Sequence, residues 1–395
     1  MFTAVKGKHG AILGRGVSGD TSVGREAVTH AAAETIRSHH GLRGVAAFLV
    51  LMFHFRDVTK SVGDSIDAHT AFFSTGYIWV DFFFILSGFI LTHVYGAAMA
   101  RAHDRDAQQA ARRFYVARFA RIYPLHFATL LAMIALELSA YLFRPEIADA
   151  FVSNRKGLAS ILQNLTLTHA WLTLGRLEWN VPSWSISTEA FAYLIFPLLL
   201  ALSHHRSVMV RALLPVAALA IYVHTFVNFK AIQDQQPLAR CLASFVSGML
   251  LHRLWQRHGA VQQAVAGVLQ LGALAAAVVA MHFGWSQALV VVAFALLIFS
   301  TADDHGPLAR MLTTRPLLFL GTLSYSIYMT HWIVYRLYWM YGENVLSGLA
   351  SEYSPVKVYF LKVILMLALT LTLSLGAFRY IELPARRYIT RKLSR

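Results

Sequence analysis

Between Arg257 and Asp303 the chain runs for 45 consecutive residues, His258–Ala302, without a single Asp, Glu, Lys or Arg. A helix needs about 20 apolar residues to cross the hydrocarbon core of a bilayer, so this run is long enough for two crossings. His282, Gly284 and Trp285 mark the turn between them. A porin-type barrel would instead show short segments of alternating polarity, which the sequence lacks. Composition agrees: 57% of the 395 residues are hydrophobic, only 14% are charged, and the mean hydropathy is +0.52. That is too little charge to cover a soluble surface of this size. The expected fold is all-α, a polytopic membrane protein of about ten transmembrane helices. They are expected near residues 41–60, 70–96, 122–143, 185–203, 208–227, 238–253, 264–282, 286–302, 317–337 and 357–378.

The net charge of +15 comes from 35 Lys and Arg that cluster in loops between apolar runs. They form no stripe on a soluble domain, so no nucleic-acid partner is expected and the charge reads as topology. With the N-terminus inside, inner segments hold 24 of the 35, which puts both termini in the cytosol. Residues 1–40 read as a mobile or partly helical cytosolic extension, 41–380 as the membrane domain and 381–395 as a basic tail. The first apolar run begins near residue 42, too late for a signal peptide. Cys241 is the only cysteine, so no disulfide closes within the chain. The pairs His39–His40 and His204–His205 lack a third ligand at helical spacing and read as interfacial residues, so no metal is expected.

Gly41–Arg56 reads GLRGVAAFLVLMFHFR, with Arg43 and His54 eleven residues apart. On a helix that is three turns plus about 20°, which puts both on one face roughly 16 Å apart. The plain reading is an arginine that snorkels and a histidine satisfied by a neighbouring helix. The expected topology argues for more. Arg43 falls at the cytosolic end of span one and His54 toward the outer leaflet, while Asp81 opens the inward span two. Glu189, just after Trp184, opens inward span four, and His331 comes late in outward span nine. Four ionisable side chains on four spans thus share one depth, and each is costly in lipid unless it meets a partner or water. On the cytosolic side, ARRFYVARFARIYPLH carries Arg118 and Arg121 at i, i+3 beside Tyr123, a cluster of the size of a phosphate group. Trp171, Trp179 and Trp184 read as interfacial anchors or sugar-stacking faces.

These residues resemble the acyltransferase-3 family of integral-membrane acyltransferases, which acylate surface polysaccharides and other carbohydrates in bacteria. Arg43 and His54 match its opening Arg-x10-His, and GYIWVDFFFILSGFIL (76–91) is similar to its span-two motif, with Asp81 and Ser87–Gly88 in place. Arg118 and Arg121 match its Arg-x-x-Arg, followed by Tyr123–Pro124. VPSWSISTEAF (181–191) resembles its Trp-Ser-x-x-x-Glu element through Trp184, Ser185 and Glu189. LSYSIYMTH (323–331) and the closing Glu382-x-Pro384 complete the series in order over about residues 38–390. Some members carry a soluble esterase-like domain after the last span, and none is expected here.

The resemblance implies transfer of an acyl group, most simply acetyl, from cytosolic acetyl-CoA or another acyl-CoA to a carbohydrate hydroxyl at the outer face. It also implies a setting in the bacterial inner membrane. A hydroxyl is a poor nucleophile at neutral pH, so a base must take its proton, and an imidazole with a pKa near roughly 6.5 suits His54 to the task. Glu189 or Asp81 would orient that imidazole, as the acid of a Ser-His-Asp triad does. A second route acylates His54 itself and passes the group on. Arg43, Arg118 and Arg121, with Tyr123 beside them, would hold the CoA phosphates, because guanidinium pairs bidentately with phosphate. Trp184, Ser185, Ser324, Tyr328 and His331 would position acceptor or thioester, the last three sharing one face at i, i+4 and i+7. A transporter or flippase also buries His, Asp and Glu, but no inverted repeat is evident.

Overall fold

The computed structural model describes residues 36–101, 105–144, 157–171, 179–228, 236–348 and 353–393. Most of the expected N-terminal extension, residues 1–35, lies outside them. Among the described residues every regular element is helical. The long helices are α1 (Arg37–Phe55), α3 (Trp79–Arg101), α4 (Arg105–Phe143), α6 (Trp184–Ser203) and α7 (Val208–Asn228). They continue with α8 (Pro237–His282), α9 (Gln287–Thr301), α11 (Arg315–Leu337) and α13 (Pro355–Ala377). Shorter pieces connect them: α2 (Lys60–His69), α5 (Leu158–Leu165), α10 (Pro307–Leu312) and α12 (Glu343–Ser347). A last helix, α14 (Leu383–Leu393), carries the basic tail.

The chain is an all-α polytopic membrane protein. By length and composition, six stretches among the described residues can cross a bilayer, against the ten expected. They are Gly76–Met99, Asp106–Phe143, Val181–Ser203, Val265–His282, Arg315–Leu346 and Pro355–Leu393. Two more expected spans are shorter apolar helices, Val208–His224 and Gln287–Thr301. The other two, α1 and the first half of α8, are helical but carry too much polarity for the count. Their surroundings account for that. Ser38, His39, Leu42, Ala46, Ala47, Val50, Leu51 and Phe55 of α1 are all buried, so this helix meets protein on several sides and has little need of a lipid-like surface. In contrast α7 turns Met209, Leu213, Val216 and Leu219 outward, where only hydrocarbon suits them. The two expected spans 238–253 and 264–282 lie on the single helix α8, which breaks at His258 (φ −125°, ψ 20°).

Two helix pairs run parallel and very close. Along α1 and α11, Gly44 meets Leu320 and Gly321, Gly321 meets His40, and beyond the other end Tyr338 Oη donates to the Val58 carbonyl at 3.2 Å. Along α3 and α8, Gly88 faces Phe245 and Gly248 faces Ile85. A Cβ on any of these glycines would collide with backbone of the facing helix, so only glycine permits the approach. Parallel running agrees with the expected directions, spans one and nine together and spans two and six together. The start of α1 is held by a distant carboxylate: Asp304 accepts from the amides of Arg37 (3.1 Å) and Ser38 (2.7 Å), satisfying donors that a helix N-terminus leaves open. His39, expected at an interface, is instead buried with Nε2 2.8 Å from the Ile298 carbonyl.

Candidate active site

Helices α1, α3, α4, α6 and α11 enclose a cavity of about 820 Å³ of empty space, counting its mouth. Arg43, Arg118, Arg121, Glu189, Ser185, Ser324 and Tyr328 all line it, so seven of the twelve residues singled out in the sequence converge on one space. Ser87, Tyr193 and Tyr325 line it as well.

The three arginines differ in what holds them. Arg121 pairs with the buried carboxylate of Glu382, which also accepts from Ser326 Oγ at 2.7 Å. Arg118 lies against the rings of Tyr95 (5.6 Å) and Tyr193 (5.9 Å), and its Nε has no hydrogen-bond partner. Arg43 has neither hydrogen bond nor ion pair among the described residues. The carboxylates of Glu189 and Glu382 attract it only at a distance, so its guanidinium donors stay open to a bound anion. Glu189 on the same cavity accepts from Tyr193 Oη at 2.5 Å, an i, i+4 pair on α6.

Tyr328 stands at the far end of the lining. Its hydroxyl is tied to Ser185 Oγ (2.7 Å) and to the Pro182 carbonyl (3.0 Å), and its ring packs on Phe83 (6.1 Å). One turn further along α11 is His331, fully buried, 5.9 Å from the Tyr328 ring. His54 lies beside it, ring centroids 5.1 Å apart, and is half-buried between His331, Trp332 (5.0 Å) and Phe53 (4.7 Å). The imidazole of His54 therefore faces α11. The cavity lining ends at Tyr328, one turn short of it.

Four of the expected site residues have other partners. Asp81 does not reach His54; it is fully buried in a two-pronged pair with Arg240, whose Nε lies 2.8 and 3.0 Å from the two carboxylate oxygens, with Ser244 Oγ at 3.3 Å. Glu189 does not hydrogen-bond to His54 either, because it sits on the cavity with Tyr193. Tyr123 turns away from the arginines: it stacks on Phe119 (4.7 Å) and donates to the Leu165 carbonyl (3.1 Å). Trp184 lies behind the cavity wall, edge-on to Phe84 and 6.0 Å from the Arg240 guanidinium, while Trp171 Nε1 donates to the Ser187 carbonyl and Trp179 Nε1 to Ser160 Oγ. Arg240, Tyr193 and Glu382 were not among the expected site residues, although the Glu189–Tyr193 spacing was open to reading. Among the described residues no group of His, Cys, Asp and Glu is gathered as a metal site.

A family model described as an acyltransferase domain matches residues 37–379. The chain is similar to acyltransferase MdmB of Streptomyces mycarofaciens, 29% identical over 78% of this chain and 80% of that protein. It is also similar to peptidoglycan O-acetyltransferase OatA of Listeria monocytogenes (22% identical) and O-acetyltransferase OatA of Staphylococcus aureus (22% identical). Those matches cover 89% and 88% of this chain but 56% of each OatA, so the chain spans about half their length. No solved structure matches.

Proposed function

The chain belongs to the acyltransferase-3 family, and on that premise we propose that it carries an acyl group, most simply acetyl, from cytosolic acyl-CoA through a bacterial inner membrane to a carbohydrate hydroxyl. Both termini are then cytosolic. The observation that carries this reading is the unpaired Arg43 on a cavity that it shares with Arg118 and Arg121 and that leads toward His54. The CoA phosphates bind Arg43 and Arg118 first, since Arg121 already has Glu382. The pantetheine arm lies along the cavity, where Glu189, Ser185 and Ser324 offer acceptors to its amides. The roughly 16 Å from Arg43 to His54 is on the scale of that arm.

His54 takes the proton of the acceptor hydroxyl as its oxygen bonds to the thioester carbonyl carbon. The carbon–sulfur bond then breaks, and His54 returns the proton to the departing thiolate. With both carboxylates engaged elsewhere, His331 takes the orienting role: its Nδ1 faces the Ile327 carbonyl at 3.2 Å, so that nitrogen carries the hydrogen and Nε2 is an open acceptor. The purified protein in proteoliposomes with acetyl-CoA and a soluble oligosaccharide tests the reading. Wild type should release CoA and acetylate the sugar, His54→Ala should do neither, and Arg43→Ala should need more than tenfold more acetyl-CoA. A transporter would release no CoA, and an unchanged acetyl-CoA requirement in Arg43→Ala would remove the donor site from the reading.

A further inference from the structure

Two consecutive residues of α11 press their rings on His54, and both end in a buried polar atom without a partner. His331 Nε2 is the acceptor described above. Trp332 Nε1 is a donor that can do nothing else, since an indole nitrogen has no lone pair to offer. Buried N–H groups are nearly always satisfied in native proteins, because leaving one unmade forfeits its hydration for nothing. The indole N–H groups of Trp171, Trp179 and Trp255 are satisfied, by Ser187, Ser160 and Asp303; that of Trp79 is also without a partner, but its ring packs on Phe82 and Phe294 and makes no ring contact with His54. Trp332 is also fixed in place: its ring stacks on Tyr335 at 4.9 Å and 25°, and it packs against the cluster of Leu130, Met133 and Trp179.

We propose that the indole N–H of Trp332 is the hydrogen-bond donor to the acyl carbonyl oxygen while the group is transferred at His54. The inference rests on the acyltransferase reading and adds to it the element that reading lacks. When the hydroxyl oxygen bonds to the carbonyl carbon, the carbonyl π pair moves onto oxygen, and the resulting oxyanion needs a donor already in position. The proton goes to His54 and the charge on oxygen is met by Trp332; as the carbonyl re-forms, the carbon–sulfur pair leaves on the thiolate, which takes the proton from His54. The three cavity arginines line the space on the other side of Tyr328, so none of them stands beside the imidazole.

The test replaces Trp332 by phenylalanine and, separately, by benzothienylalanine, which keeps the bicyclic shape and has sulfur where the N–H was. Acetyl transfer from acetyl-CoA is followed in proteoliposomes, with His54→Ala alongside. Both variants should lower kcat about 100-fold, the scale of one lost oxyanion donor, with KM for acetyl-CoA within about twofold of wild type. Benzothienylalanine at full kcat overturns the proposal whatever phenylalanine does, because only the N–H is missing. A raised KM with unchanged kcat also overturns it, since that is loss of uniform binding. If wild type and His54→Ala are equally inactive, the acyltransferase reading itself has failed.

Discussion

Arg240 and Asp81, 159 residues apart in sequence, close a two-pronged ion pair in the core between α8 and α3, with both side chains withdrawn from solvent. Removing either partner leaves a buried charge uncompensated at a cost of about 3–5 kcal/mol, whereas replacing both with apolar residues of similar volume is often neutral. Asp81→Leu alone should therefore fail to yield folded protein. Asp81→Leu with Arg240→Met should recover both expression and acetyl transfer. A folded but inactive double variant would return Asp81 to the chemistry.

The cavity arginines should separate by what they already hold. Arg43→Ala removes a guanidinium with no competing partner, and loss of one charge-assisted contact is worth about 1.5–3 kcal/mol, so KM for acetyl-CoA should rise tenfold or more at near-normal thermal stability. Arg121→Ala also strands the carboxylate of Glu382 and should lower the melting temperature. Measuring KM and melting temperature for both, together with Arg121→Ala/Glu382→Gln, checks the distinction. Equal melting temperatures for the two single variants would contradict it.

Gly88 and Gly321 set the spacing of the two parallel pairs. A methyl group at either must move backbone on the facing helix, and overpacking of that kind costs about 1–3 kcal/mol. Gly88→Ala and Gly321→Ala should each lower the detergent melting temperature, while Gly376→Ala, with open space around its Cα, should leave it unchanged.

His169 lies in the loop before α6 with its ring stacked on His126 at 6.0 Å and Nε2 3.1 Å from Ser183 Oγ. Loss of hydration, with a smaller contribution from His126, pushes its pKa down to about 4. The folded value is below the unfolded one of roughly 6.5, so protons favour unfolding between the two. Stability is whole above pH 6.5 and drains as pH falls toward 4, by up to about 1.4 kcal/mol per pH unit. Melting curves from pH 7 to 4.5 should show a shallower loss for His169→Gln than for wild type. Parallel curves would exclude this histidine as the source.

Much of this arrangement is legible in the sequence, and the remainder has a common reason for hiding. Hydropathy and charge bias fix how deep a residue lies, which is why His54 and His331, 277 positions apart, were placed at one level and are found ring to ring. Neither signal fixes which way around its helix a residue points. Asp81 shares the expected depth but faces Arg240 of α8. Tyr123 sat at the right spacing from Arg121 and still turns toward α5. Polarity in α1 and α8 likewise depends on neighbours that only packing supplies.

Tyr328, pinned at its hydroxyl by Ser185 and Pro182, separates the arginine-lined space from the two imidazoles. On the proposed transfer, a protein that hands a small group through an energised bilayer cannot hold an open water column without dissipating the proton gradient. With one phenol ring standing in that path, the acyl group would have a short step to make where water has no continuous route.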